Sequence, residues 1–375
     1  MKIRLLLLLS LFSLRLSAQR DTISAPNCKQ IFISASYQYG FFWAHRSTMD
    51  GLVHKHLQGF EVDVIRTGTG EHSYDQPYHY PWIGLAVHVI PLGNPTVLGT
   101  GIGIYPFINF PLGKRSRIVK MNIRFGWGAG YVTKCFDPLE NHANVAIGSH
   151  LNVCMSLRYD LMWKLNDDNY LEFGIGITHF SDGAAKLPNL GVNLPMLSVG
   201  YHHAIIQKLC TKPSPEFETK SEKTLGILAN PHWHFNTLVV TGFNDTDPPG
   251  GNRYAVLNIV TSAMVRTARK ARFGAGLDLM YSDAIRKRLW VEDSLHTTVL
   301  QNFQVGGKVC YEFVVGRVFF PIEMGAYIRS RYDNGLFYTR FGARYLVGQH
   351  LILNVSLKTH WARAEYLEYG LGWRF

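Results

Sequence analysis

Residues 170–179 read Tyr170-Leu171-Glu172-Phe173-Gly174-Ile175-Gly176-Ile177-Thr178-His179. In extended backbone, successive side chains point to opposite faces. Leu171, Phe173, Ile175, Ile177 and then His179 therefore share one face, and Glu172, Gly174, Gly176 and Thr178 share the other. The chain ends on the same pattern, with Leu367, Tyr369, Leu371, Trp373 and Phe375 alternating with Glu368, Gly370, Gly372 and Arg374. One face is large and apolar, the other small or polar. Soluble sandwiches alternate too, so the rest of the chain has to arbitrate.

Working outward, alternating stretches closed by polar or Gly/Pro turns recur from residue 29 to the end. Of the 375 residues, 47% are apolar and 13% aromatic, but only 17% are charged, against roughly 25% in soluble domains. That aromatic load and low charge exclude intrinsic disorder. Beyond residue 20 no run of 18 apolar residues occurs, which excludes membrane-spanning helices. The first twenty residues read as an export signal: Lys2 and Arg4 precede an apolar Leu5–Leu14, and Leu16-Ser17-Ala18 forms a small-residue cleavage site. Residues 1–18 are assigned to that signal peptide. Loss of Lys2, Arg4 and Arg15 lowers the formal charge from +11 to +8.

Export, ten-residue alternating strands and aromatics near strand ends together predict an all-β fold, a transmembrane antiparallel β-barrel of the bacterial outer membrane. Sixteen strands can be drawn, an even number as such barrels require. With the N-terminus periplasmic, the turns at 111–115, 166–168, 268–270 and 346–349 are short, and the outer loops at 134–144, 181–194, 242–251 and 283–296 are longer. Two segments break the rule, 67–81 and 209–224, both long for periplasmic turns. The second is polar and Pro-bearing, and reads as a linker or turn between a first half, 28–208, and a second, 225–375. Tyr170–Gly176 and Tyr366–Gly372 are similar enough to suggest a repeat. One barrel of about sixteen strands is the simpler topology; two tandem eight-stranded barrels are the alternative.

Chemistry is most readily placed at Thr178-His179-Phe180-Ser181-Asp182-Gly183-Ala184, continuing through Pro188-Asn189-Leu190-Gly191-Val192-Asn193. His179 and Ser181 are two apart and so share the lipid-facing side of their strand, at its outer end. Polar groups on such a face need partners or a purpose. A histidine beside a serine hydroxyl can act as its general base. The five cysteines (28, 135, 154, 210 and 310) show no CxxC spacing, so no zinc site is expected and any disulfide pairing stays open. His202 and His203 point to opposite faces, and His232 and His234 lack a third ligand. His360 alternates with Asn354, Ser356 and Lys358 toward the lumen. Arg286-Lys287-Arg288 lies in an outer loop, where cations can meet lipopolysaccharide phosphates. The basic balance of an exported protein does not point to nucleic acid.

The segment around His179 resembles the outer-membrane lipid A 3-O-deacylases of the PagL type, whose signature is similar to His-x-Ser-Asn-Ala, then Pro-Asn and a Gly, ended by an acidic residue. His179, Ser181, Pro188, Asn189 and Gly191 stand at matching positions. The resemblance covers about residues 30–208. It implies an eight-stranded barrel with its active site on the outer, lipid-facing surface. It also implies Ser181 as nucleophile, His179 as base, Asn189 with loop amides such as that of Gly183 at the oxyanion, lipid A of lipopolysaccharide in the outer membrane as partner, and no metal or cofactor. Two positions depart. Asp182 replaces the asparagine after the serine, and Asn193 stands where the acid falls. Asn193 can orient His179 without contributing charge; Asp182 or Glu172 are the other acids near in sequence, although Glu172 takes the opposite face. The expected function is a serine esterase acting on lipid A, and the alternative is a non-catalytic structural barrel or pore.

Overall fold

A computed structural model describes residues 28–53, 55–113, 118–210, 232–246, 248–293, 298–331, 335–361 and 363–375. The export segment lies outside these residues, as does most of the 209–224 segment. Among the described residues there are sixteen strands, but they close as two barrels of eight, so the single-barrel expectation gives way to the tandem alternative. The first barrel contains β1 (Cys28–Gly40), β2 (Leu57–Arg66), β3 (Trp82–Pro91), β4 (Thr100–Leu112), β5 (Val119–Val132), β6 (Leu151–Lys164), β7 (Asn169–Ser181) and β8 (Val192–Cys210). The second contains β9 (Trp233–Asp245), β10 (Arg253–Ala268), β11 (Ala271–Ser282), β12 (Phe303–Val315), β13 (Val318–Arg329), β14 (Phe337–Val347), β15 (Leu351–His360) and β16 (Arg363–Arg374). β8 returns to β1, with Ile33 opposite His203 and Gly40 opposite Met196. β16 returns to β9, with Tyr369 opposite Thr241. Every strand of each barrel thus has a hydrogen-bonded neighbour on both sides, the arrangement by which a closed sheet satisfies its backbone in hydrocarbon.

Interior chemistry accounts for two narrow barrels in place of one wide one. Eight strands leave a lumen just wide enough for side chains to fill, and each half carries a complete set of opposite charges for its own interior. In the first, Arg124 pairs with Glu61 at 2.8 Å and Asp63 at 2.9 Å, and Arg158 pairs with Glu172 at 2.7 Å and Asp160 at 2.6 Å. In the second, Arg340 bridges Asp278 at 2.8 Å and Glu368 at 2.6 Å, while Lys308 meets Glu323 at 2.7 Å. All of these side chains are buried. A wide lumen would leave them in water, and buried charges are stable only when paired and hydrogen-bonded. His360 joins the second network through Tyr327 (2.9 Å) and Glu365 (3.2 Å).

The barrels lie side by side. The 67–81 segment, too long for a simple turn, packs across the gap: the Tyr78 hydroxyl donates to the Val314 carbonyl at 2.6 Å and the ring meets Phe110 and Phe313. Its length serves this contact. The 283–296 loop is largely helical, α1 spanning Asp283–Asp293. Arg288 on α1 donates to Asn244 Oδ1 at 3.0 Å, so that cation is used at the end of β9. Among the described residues no helix is long and apolar enough to cross a membrane; the apolar belt is instead the strand exterior, where Phe173, Ile175, Leu197 and Val199 are all exposed.

Candidate functional site

β7 and β8 form a hairpin whose connecting loop is 182–191. Burial along β7 alternates as its sequence predicts: Tyr170, Glu172, Thr178 and Phe180 are buried inside, and Phe173 and Ile175 face out. His179 and Ser181 take the outward parity. Cross-strand register sets His179 opposite Asn193. Directly opposite pairs on one face bring their Cβ atoms to about 5 Å, and His179 Nδ1 lies 2.7 Å from Asn193 Oδ1. An amide oxygen only accepts, so Nδ1 carries the proton and Nε2 keeps its lone pair. The spacing of 179 and 193 is thus the hairpin's register expressed as chemistry.

Asn193 is itself held. Its Nδ2 donates to His45 Nδ1 at 3.1 Å. His45 lies beyond β1, and the chain there runs along β8 through Phe41 N to Pro195 O (3.2 Å) and Trp43 N to Asn193 O (2.9 Å). Sequence reasoning missed His45. No local signal marks it, because its partner is 148 residues away. Gly191 has φ +78, and a Cβ there would stand 2.7 Å from His179 Cε1. The position accepts only glycine if the imidazole is to keep its place.

Ser181 Oγ is surrounded by donors. Asn189 Nδ2 donates to it at 2.9 Å and the Gly183 N–H at 3.1 Å. The hydroxyl in turn points to Asn189 Oδ1 at 3.3 Å. Among the described residues no hydrogen bond joins Ser181 to His179. Gly183 reaches its position in the left-handed region (φ +65), followed by Ala184 at φ +62; that reversal aims its amide back at Ser181. Five of the predicted residues are therefore gathered as two bonded groups on one outer face, His179 with Asn193 and Ser181 with Asn189 and Gly183.

The acidic residues stand elsewhere. Asp182, one residue on, is buried beside the second barrel, away from His179; Ser149 donates to its Oδ2 at 2.8 Å. Burial pushes its carboxyl up to about 6, the Ser149 bond opposing that shift. It makes no hydrogen bond to His179 or Ser181 among the described residues. Glu172 is in the lumen, bonded to Arg158 and, at 2.9 Å, to His202. His203 points outward to Asn169 (2.9 Å). Neither acid can orient His179 from where it lies; Asn193 does.

The second barrel touches this loop. Leu187 N donates to Asp245 Oδ2 at 2.9 Å, and a Cβ on Gly183 would meet Leu367 Cγ at 2.5 Å. Asp245 and Leu367 had no sequence signal as parts of a site in the first half.

Two family models match the chain. Residues 14–202 match one described as lipid A 3-O-deacylase (PagL), and residues 231–375 match one described as acyloxyacyl hydrolase, C-terminal domain. No curated protein matches. Among solved structures, neisserial surface protein A is similar at 12% identity over 46% of this chain and 96% of its own, with TM-score 0.29. A porin mutant from Rhodopseudomonas blastica is similar at 10% identity over 92% of this chain and 100% of its own, with TM-score 0.16. The siderophore receptor PirA from Acinetobacter baumannii is similar at 9% identity over 89% of this chain and 56% of its own, with TM-score 0.22.

Proposed function

Since the chain belongs to the lipid A 3-O-deacylase family, we propose that it is an outer-membrane serine esterase that removes an ester-linked acyl chain from lipid A. The observation that carries this reading is the outward-facing His179–Asn193 pair beside a serine oxygen ringed by Asn189 and Gly183. It stands on the side of the barrel that lipid occupies, at the outer end of β7.

Ser181 Oγ attacks the acyl carbonyl while His179 Nε2 takes its proton. Rotation of the serine out of its bond to Asn189 brings Oγ toward the imidazole; catalytic hydrogen bonds commonly tighten only with substrate present. The Asn189 amide and the Gly183 N–H, released from Oγ, then face the developing oxyanion. The tetrahedral adduct collapses, the sugar oxygen leaves with the proton from His179, and an acyl-serine remains. Water, deprotonated by the same imidazole, hydrolyses it to free fatty acid and regenerates Ser181. Asn193 holds the ring throughout but adds no charge to the imidazolium, so this site is expected to be slower than one with a carboxylate there.

The filled interiors count against the pore alternative. Export by a cleaved signal peptide accompanies the outer-membrane reading. Lipid A extracted from cells producing the wild-type protein is expected to lose one acyl chain by mass spectrometry. Ser181→Ala or His179→Ala cells are expected to keep it. Identical acyl patterns in all three strains sink the proposal.

A further inference from the structure

The cleft between the barrels begins where the candidate catalytic loop ends. It encloses about 480 Å³, within the roughly 300–1,000 Å³ of small-molecule sites. Leu151 of the first barrel and Phe243, Leu367 and Tyr369 of the second form apolar walls. Two cations face it, Lys186 from the loop and Arg253 at the start of β10. Their convergence follows from the backbone. Arg253 is the register partner of Asp245, and Asp245 accepts the amide of Leu187, the residue after Lys186. Among the described residues neither cation forms a hydrogen bond or salt bridge. Arg253 acts through space on the Asp182 carboxyl and Lys186 on that of Asp137, each lowering it. Asp182 is already engaged by Ser149.

A crevice lined by apolar side chains and by two unengaged cations complements one kind of molecule, an anionic lipid whose charge sits beside its acyl chains. The cleft lines up with Ser181 through Asp182 and the 183–187 loop, and its far wall is entirely second-barrel. We propose that this inter-barrel cleft is the second half of the substrate site. In it Lys186 and Arg253 bind a phosphate of the acylated glycolipid, and Phe243, Leu367 and Tyr369 hold one of its chains. The proposal rests on the esterase reading for the identity of the lipid, and gives the second barrel a role in binding.

Binding can be read without turnover. The full-length Ser181→Ala protein in detergent micelles is titrated with bisphosphorylated lipid A, with the same lipid A stripped of phosphate, and with phosphatidylglycerol. Two surface cations at a lipid phosphate correspond to about thirtyfold in affinity. That preference for phosphorylated over dephosphorylated lipid A is expected, with phosphatidylglycerol binding more weakly than lipid A. Lys186→Gln with Arg253→Gln removes the preference, and Phe243→Ala weakens both forms of lipid A alike. Retention of the full preference in the double variant overturns the proposal, as does equal binding of phosphatidylglycerol. Arg253→Gln alone, at an exposed position, keeps the test open if the double variant folds poorly; it is expected to lose about half the preference on a logarithmic scale, and an unchanged preference again overturns the cleft. If wild-type protein fails to deacylate lipid A yet the preference follows Lys186 and Arg253, the esterase reading falls and the cleft stands.

Discussion

His45 decides whether Asn193 can stand in for an acid. An amide has one accepting and one donating end, and only its oxygen serves His179, because Nδ1 has to carry the proton if Nε2 is to act as base. His45 Nδ1, accepting from Asn193 Nδ2 at 3.1 Å, occupies the donating end and leaves Oδ1 for His179 at 2.7 Å. His45→Ala releases that end. The amide is then free to turn and donate to Nδ1, which places the proton on Nε2 and disables the base; the wrong tautomer is the known penalty of an amide in this position. A hydrogen bond of this kind is worth about 1 kcal/mol net, so kcat/KM is expected to fall about fivefold. A carboxylate has no donating end. Asn193→Asp therefore tolerates loss of His45, and its charged bond to the imidazolium is stronger by about 1 kcal/mol, which raises kcat/KM severalfold. Rates of fatty-acid release from lipid A in micelles, measured for the two single variants and the double, close the cycle. The expected order places the double variant above His45→Ala and near Asn193→Asp. A double variant as slow as His45→Ala, or a His45→Ala enzyme with full activity, would refute the orientation argument.

Three further outcomes are expected. Burial raises the Asp182 carboxyl to about 6 from 3.8, so the native state holds this proton more tightly than the unfolded chain. The resulting stability is present below about pH 4 and is lost as pH rises through about 6. Asp182→Asn should accordingly stabilise the barrel at pH 8 by up to about 3 kcal/mol and do little at pH 4; urea midpoints that move equally at both pH values contradict this. Gly183→Ala places a Cβ in a left-handed backbone and 2.5 Å from Leu367 Cγ. It should cost about 1–2 kcal/mol and slow deacylation by displacing the Gly183 amide, with Leu367→Ala restoring part of the rate; no restoration means the second barrel does not press on the loop. In planar bilayers the wild-type protein should show no large steady conductance, since Arg124 and Arg340 are buried in ion pairs across the two interiors; an open channel would overturn the filled-lumen description.

Much of this was legible residue by residue. The alternation at 170–179 assigns Glu172 to the interior and His179 to the exterior, and the structure has Glu172 bonded to Arg158 in the lumen. Most short and long connections fall where the parity of strands requires; the 67–81 segment and the tight β15–β16 connection do not. The number of barrels was not legible, because a strand alternates in the same way whether its far edge meets the next strand or one seven strands back. The 67–81 segment announced itself only as a turn too long for its place; its partner, the Val314 carbonyl, is 236 residues away. The helix α1 was likewise hidden in a polar, cationic loop.

For the candidate site the division is similar. His179, Ser181 and Asn189 lie within eleven residues, and their shared face or short loop is a matter of local geometry, which the sequence by itself determined. Asn193 could be named because it stands where the acid of the resembling family falls; that it lies directly opposite His179 comes from the pairing of β7 with β8. The orientation of its amide could not, since His45 comes from the other edge of β8, across the seam where the first barrel closes. Nor could the exclusion of Asp182, which is buried with Ser149 bonded to it, or the contact of Leu367 and Asp245 with the loop. These rest on closure of two barrels and on their packing against each other. A period-two pattern specifies which way each side chain points, whereas only the long-range pairing of strands specifies what it meets.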